Sequence, residues 1–452
     1  MNDELTTAVS PRSRRRSTVE TVLRVIHTPD TEQLGFEQVL GPAVTLIGRG
    51  TGENHLRIEG DRSLSRNHAA VVYDNDARRF VLEDQGSRNG THVNGRRAQR
   101  EHLSVGDLIR LGETVICVAV KAAAGDEATP VMGRSIVAVS AAMRGVLAQC
   151  QQVGPTDLHV LITGETGVGK ELVARYLHQC SGAKGPLVAV NCATLRPELA
   201  ASELFGHVKG AFSGADRDRR GLLESAAGGT CFLDEVGELL PDIQAQLLRA
   251  IEEREVRPVG ASRTAVVDAR FVAATNVELG TAVEGGQFRS DLYARLAQWT
   301  LAVPPLRERR DDVPALVRHL LLEFAPRAEY SVTADAMEAL CLHSWPMNVR
   351  ELASGLRRVT VELPGGGEVD LDLLSDEVVA TLGPRADLDE PEPVPGLPSP
   401  PPGQAPTRTE LEILLTHYAG KVTDVARHLG RHRVQVHRWL KRHGLLAADF
   451  RH

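Results

Sequence analysis

Lys170 closes the run Gly164-Glu165-Thr166-Gly167-Val168-Gly169-Lys170-Glu171, whose residue types suit a polyphosphate. Glycines let backbone N–H groups turn toward phosphate oxygens, and a lysine at that position reaches the terminal phosphates. The spacing fits G-x-x-x-x-G-K-[ST] at every position but the last, where Glu171 stands. A second feature, the adjacent carboxylates Asp234 and Glu235, adds a group able to hold Mg²⁺ and a group able to orient and deprotonate a water. Lysine, glycines and an acid pair together point to hydrolysis of a nucleoside triphosphate.

Those residues work only if backbone elements hold them together. An apolar run, LHVLITG (158–164), leads into the glycines, and KELVARYLHQC (170–180) leaves them at helical spacing. That is strand, loop, helix. The run GGTCFLDEVGEL (228–239) reads as a buried strand that delivers Asp234 and Glu235 to the carboxyl edge of a parallel sheet, where ligands bind in open α/β folds. ARFVAATN (269–276) is a third such strand, and it brings Asn276 to the same edge.

Residues 20–122 have another texture: short alternating runs separated by turns, the pattern of a β-sandwich. Its polar residues fall in the loops GR (48–49), SRNH (65–68), SRNGT (87–91) and NG (94–95). In this order the loops resemble those of the forkhead-associated (FHA) domain, a phosphothreonine reader. The resemblance implies that Arg49, Ser65 and Arg66 contact the phosphate, that Asn89 holds the ligand backbone, and that His68 braces the loop from inside. Guanidinium, hydroxyl and amide donors suit a dianionic phosphate.

The central stretch contains, in order, GETGVGKE, VNCATL, SELFGH, GAFSGA, GGTCFLDEVGEL, FVAATN, FRSDLYARL, PPLRERRDDVPAL and WPMNVREL. This stretch resembles the AAA+ domain of bacterial enhancer-binding proteins, the activators of sigma-54 RNA polymerase. The resemblance implies ATP and Mg²⁺ as cofactors, with Gly164–Glu171, Asn276 and Arg350 at the nucleotide and Asp234 and Glu171 at the metal. It also implies that Lys170, Asp234 and Glu235 act in catalysis. Asn191 resembles the switch residue coupled to Glu235, Arg289 and Arg295 resemble arginine fingers that reach a neighbouring subunit, and Arg350 resembles the lid's sensor. Gly210, Ala211, Phe212, Ser213, Gly214 and Ala215 match the loop that engages sigma-54. Ser213 stands where threonine is typical, and Met347 where the lid motif usually has glycine.

The C-terminal residues 408–452 carry nine Lys/Arg, four Asp/Glu and six His, although the whole chain has a net charge of −7. A basic end on an acidic protein points to a polyanion. VTDVARHLG and RVQVHRWLKRHGL have helix-turn-helix proportions and resemble the Fis-type DNA-binding domain that ends this family. Arg433 and Gln435 would read bases, His437 and Arg438 lie on the same helix, and Lys441 and Arg442 would meet phosphates of double-stranded DNA.

The expected fold class is therefore multidomain: β-sandwich, α/β P-loop domain with α-helical lid, and all-α helix-turn-helix. The expected divisions are a basic arm (1–19), the sandwich (20–122), a linker (123–132), the α/β domain (133–304), the lid (305–383), a Pro-rich acidic linker (384–407) and the DNA-binding end (408–452). Six cysteines lack CxxC spacing, the arm before residue 20 has no continuous apolar run, and no stretch is long enough to cross a bilayer. Reduced thiols, a cytoplasmic location and no membrane partner follow. The remaining partners are sigma-54 holoenzyme, a phosphothreonine protein or the chain's own phosphorylated segment, and a homo-oligomeric ring, a hexamer by resemblance. Two other functions stay open on the residues: a phosphopeptide scaffold whose nucleotide domain is only an assembly switch, and an ATPase that remodels a different protein.

Overall fold

The first and last strands of the N-terminal unit, Thr21–His27 and Thr114–Val120, are buried along nearly their whole length on both faces. A sandwich strand ordinarily has one wet face, so something must cover the other. The computed structural model describes residues 20–50, 55–121, 128–131, 134–382, 397–398, 400, 404–431 and 433–450. The expected basic arm, and most of the expected Pro-rich linker, lie outside these residues.

Two sheets build the sandwich. One has six strands in the order Glu37–Val39, Thr21–His27, Thr114–Val120, Leu108–Leu111, Thr91–Val93, Arg96–Ala98; the other has five, with Thr45–Gly48, Ala69–Asp74 and Arg79–Asp84 at its centre. Side chains alternate as the pleat requires. Leu23, Val25, Ile116 and Val118 fill the space between the sheets. Val22, Val115, Cys117 and Ala119 point the other way and join a core made with lid residues Val313, Val317, Leu340 and Cys341. The lid is the missing cover.

The α/β unit has five parallel strands in the order Leu187–Asn191, Thr230–Asp234, Arg270–Thr275, Val160–Thr163, Trp299–Ala302. Apolar clusters cover both faces of this sheet. That double burial explains the near-continuous apolar runs in its sequence. Part of the expected linker is ordered: Ala128–Val131 pairs antiparallel with Arg134–Val137. The lid contains the helices Val313–Phe324, Ala334–Leu342 and Asn348–Glu362. It also has a short parallel ribbon, Glu329–Val332 with Gly366–Val369, which an all-helical reading did not include.

At the C-terminal end, Arg408–His417 begins with a capping box between Thr407 and Glu410. Val422–His428 and Arg433–His443 follow as the helix pair, and Leu411, Leu414, Val425, Val436 and Trp439 form their core. Among the described residues no helix is long and apolar enough to cross a membrane.

Candidate functional site

The strand Val160–Thr163 ends in a loop that needs positive φ at Gly164, Gly167 and Gly169. Gly169 caps the helix Lys170–Ser181 in left-handed conformation, and a Cβ there would project into open space. The loop is a cradle with room for a ligand. Lys170 is almost fully buried, donates to the Gly164 carbonyl at 2.9 Å, and lies 3.6 Å from Glu235 Oε1.

Asp234 ends the strand Thr230–Asp234, separated from Val160–Thr163 by Arg270–Thr275, and burial together with the Glu235 charge raises its pKa against the opposing pull of Lys170. Glu235 has φ +53°, a left-handed conformation that costs a non-glycine residue about 1–3 kcal/mol and clusters at functional sites. Its Oε2 accepts the Asn276 N–H at 3.2 Å, and Asn276 Nδ2 donates to Thr166 Oγ1 at 3.0 Å. A cavity of about 370 Å³ joins these groups: Thr166–Glu171, Asp234 and Glu235 line one side, and Arg309 and Arg350 of the lid line the other. Ile136 and Val137, from the strand Arg134–Val137, add an apolar wall. Glycine cradle, buried lysine and paired acids fit a nucleotide triphosphate with a divalent cation.

Some predicted residues sit differently. Glu171, expected at the metal, turns its carboxylate to Arg175 at 2.7 Å, the partner one helical turn on. Asn191, expected to couple to Glu235, is in register with Asp234, but its Oδ1 accepts the Ala193 N–H at 3.0 Å and caps its own turn. Arg289 and Arg295 do not line the cavity. Arg289 caps the short helix Ser290–Leu296 and Arg295 lies in its last turn, in exposed pairs with Asp291 (2.7 Å) and Glu252 (2.8 Å). Met347 has φ −102°, so this position does not require glycine, and Arg350 keeps its place on the first turn of the helix Asn348–Glu362.

In the sandwich, Arg49, Arg66 and Asn89 are exposed on adjoining loops. Arg49 Nε donates to the Leu64 carbonyl at 2.7 Å, Asn89 Nδ2 to Ser63 O at 2.7 Å, and Arg88 N–H to Ser65 Oγ at 3.0 Å. His68 has no exposed surface; its Nδ1 accepts the Ser65 N–H at 3.1 Å, leaving Nε2 to donate to Gly90 O at 3.3 Å. Burial lowers its pKa and keeps this tautomer neutral. One histidine thus ties two of the predicted ligand loops together.

Gly210 and Gly214, both at positive φ, bracket Phe212 and Ser213, which are exposed on a loop between two short paired strands. The Phe212 ring meets His207 edge-on. At the other end of the chain, Arg433, His437, Lys441 and Arg442 are exposed on their helix, but Gln435 is not. Its Nε2 donates to the lid carbonyl of Asp376 at 2.9 Å, and Arg438 Nη1 bonds the Asp376 carboxylate at 2.9 Å. The expectation that Gln435 is presented to bases is therefore corrected for this arrangement, because the lid occupies that face of the helix. Sequence reasoning missed Arg307, Arg309 and Asn348, which bond to the phosphate loop; the charged run RERRDD was the available signal.

Fold and site together define a P-loop ATPase core with a helical lid and an FHA-type sandwich. Family profiles agree: residues 136–302 match a Sigma-54 interaction domain, 45–112 an FHA domain and 307–389 an AAA+ ATPase lid domain. The transcriptional regulatory protein ZraR of Klebsiella oxytoca is 49% identical over 241 residues, covering 52% of this chain and 54% of that protein. ZraR of Escherichia coli K12 is 41% identical over 317 residues, covering 68% of each chain. A crystal structure of Brucella abortus NtrX in complex with ADP is similar with a TM-score of 0.50 at 30% identity, over 69% of each chain. The chain belongs to the sigma-54-dependent transcriptional activators, and it carries an FHA domain. It spans about half the length of most curated relatives that it matches.

Proposed function

We propose that this protein hydrolyses ATP between subunits of a ring to activate transcription by sigma-54 RNA polymerase, under control of phosphothreonine binding. The observation that carries this reading is the convergence of Lys170, Asp234, Glu235 and Arg350 on one cavity. Lys170 binds terminal phosphate oxygens, and Asp234 would hold Mg²⁺. Glu235, aimed by the Asn276 N–H, orients a water and takes its proton at the carboxylate. ATP with Mg²⁺, when bound, supplies the phosphoryl group and neutralises charge on its oxygens. Arg289 and Arg295 lie outside their own cavity, on an exposed helix, which supports service to a neighbour's site and makes turnover depend on assembly.

The loop Gly210–Ala215 presents Phe212 to sigma-54 in the holoenzyme. Arg49, Ser65, Arg66 and Asn89 take a phosphothreonine from a partner or from this chain. The helix Arg433–His443 binds DNA upstream of the promoter, and the protein works in the cytoplasm. Glu235→Gln is expected to keep ATP binding and to slow hydrolysis by about 10²–10⁴-fold, the range for loss of a general base; equal turnover in wild type and variant overturns the assignment. Phe212→Ala is expected to hydrolyse ATP yet fail to open a sigma-54 promoter in a reconstituted transcription assay.

A further inference from the structure

Six consecutive residues where the lid begins, Arg307-Glu308-Arg309-Arg310-Asp311-Asp312, reach both the phosphate loop and the β-sandwich. On the loop side, Arg307 donates to both carboxylate oxygens of Glu165, at 2.6 and 2.8 Å. Arg309 is buried and donates to the Val168 carbonyl at 2.8 Å. Asn348, fully buried at φ +52°, donates to Glu165 Oε2 at 3.1 Å and to Thr166 O at 3.0 Å. Its own Oδ1 accepts the Leu306 N–H at 2.8 Å, and the Val349 N–H donates to Gly167 O at 3.1 Å. Four successive loop residues, 165 to 168, are therefore bonded to the lid.

The orientation of those bonds carries the argument. In a trans peptide the carbonyl of one residue and the N–H of the next point in opposite directions. With the carbonyls of Thr166, Gly167 and Val168 turned to the lid, the N–H groups of Gly167, Val168 and Gly169 turn away from it, as a phosphate requires. At Gly167 a Cβ would stand 2.2 Å from the Met347 carbonyl oxygen, so loop and lid meet backbone to backbone. On the sandwich side, Arg310 Nη1 donates to Gly106 O at 3.1 Å, and Asp311 pairs with Arg24 of the first sandwich strand. Asp312 accepts the N–H groups of Val139 and Ser140, both at 2.6 Å, which anchors the segment to the start of the α/β unit.

We propose that Arg307, Arg309 and Asn348 are positioning residues that hold the phosphate loop in its anion-binding shape, and that Arg310 and Asp311 tie this shape to the seating of the FHA sandwich. The inference rests on the ATPase reading above. It assigns the segment a role at both ends: a change in how the sandwich sits becomes a change in nucleotide affinity, and the coupling is reciprocal.

The test uses the full chain, a fluorescent ATP analogue with Mg²⁺ for Kd, and steady-state turnover for KM and kcat. Arg307→Glu should raise Kd and KM about tenfold, since it removes both bonds to Glu165 and sets a like charge against it, with kcat nearly kept. A merely structural defect would do the reverse, since a smaller folded fraction lowers kcat and leaves KM alone. The swap Glu165→Arg with Arg307→Glu restores the pair and should recover most of the lost affinity. Arg24→Ala, far from the nucleotide, should weaken binding several-fold. Wild-type affinity in Arg307→Glu, or no recovery in the swap, overturns the positioning role. Unchanged affinity in Arg24→Ala beside a weakened Arg307→Glu overturns the tie to the sandwich. A wild type that binds no nucleotide would instead sink the ATPase reading itself.

Discussion

The lid receives two neighbours, and it holds them by different physics. Against the sandwich it presents Val313, Val317, Leu340 and Cys341 to Val22, Val115, Cys117 and Ala119, one continuous apolar core. Two ion pairs cross this joint with little exposure: Arg24 with Asp311, and Arg110 Nε with Glu338 Oε2 at 2.6 Å. Against the C-terminal helices the lid offers mainly polar groups. Asp376 takes Gln435, Arg438 (2.9 Å) and Arg442 (3.6 Å), and Val434 alone of that helix packs on the lid core. The side chains of Arg442, Asp376 and Arg438 are 61%, 33% and 18% exposed. A dry joint resists parting because it would expose apolar surface and orphan buried charges; a wet ionic joint parts into solvent at little cost. The sandwich is built in, and the C-terminal helices are only leaned against their neighbour.

The largest test of that contrast is Glu338→Ala. It leaves Arg110 buried without its main partner, and breaking such a pair typically costs about 3–5 kcal/mol. Chemical denaturation of the full chain should show a loss of that order; less than about 1 kcal/mol would mean that the joint is not a core.

Acidity should act on the same joint. Burial, helped by the neighbouring Asp312, pushes the Asp311 carboxyl up to about 6, against the pull of Arg24. Between its ordinary value of 3.8 and about 6, the folded protein then holds a proton that the unfolded chain has lost. Stability from this group is therefore present at low pH and declines as pH rises through that window, by at most about 1.4 kcal/mol per pH unit. Asp311→Asn should flatten that slope in melting curves taken from pH 4 to 7, and an unchanged slope would remove Asp311 as its source.

The smallest effect belongs to the other joint. Asp376→Asn should change global stability by less than about 1 kcal/mol. It should tighten DNA binding up to about fivefold by loosening the hold on Arg438 and Arg442, measured by fluorescence anisotropy on a promoter-upstream duplex. Raising salt should mimic the release in the free protein, since exposed pairs are screened. Weaker DNA binding in the variant would argue that the lid supports the helix rather than covers it.

Much of this was legible in the sequence, for identifiable reasons. Strand, glycine loop and helix around Lys170 follow from local spacing, and an apolar run ending in Asp234 and Glu235 marks a strand that delivers both acids to the same sheet edge. The sandwich announced itself by its turns. What escaped depends on contacts distant in sequence. Asn348 reaches Thr166 across 182 positions, and although asparagine suits its left-handed backbone, a lone asparagine does not say which distant groups it bonds. The strand Ala128–Val131 lies in a stretch with Gly and Pro and no periodicity, so it reads as linker. One signal was present and unread. The runs TVLRVIH and TVICVAV are apolar on both faces, which in a sandwich implies a covering partner.

Phe212 rests against His207 with ring centroids 5.1 Å apart. An edge-to-face pair is worth about 0.5–1.5 kcal/mol, comparable with thermal energy. If nothing else restrained the ring, agitation would lift it in roughly one molecule in three to one in fourteen. So slight a catch lets the aromatic tip part from His207 unaided. In the function proposed above, ATP hydrolysis would have to supply not the release of the tip but a way to keep it released against a load.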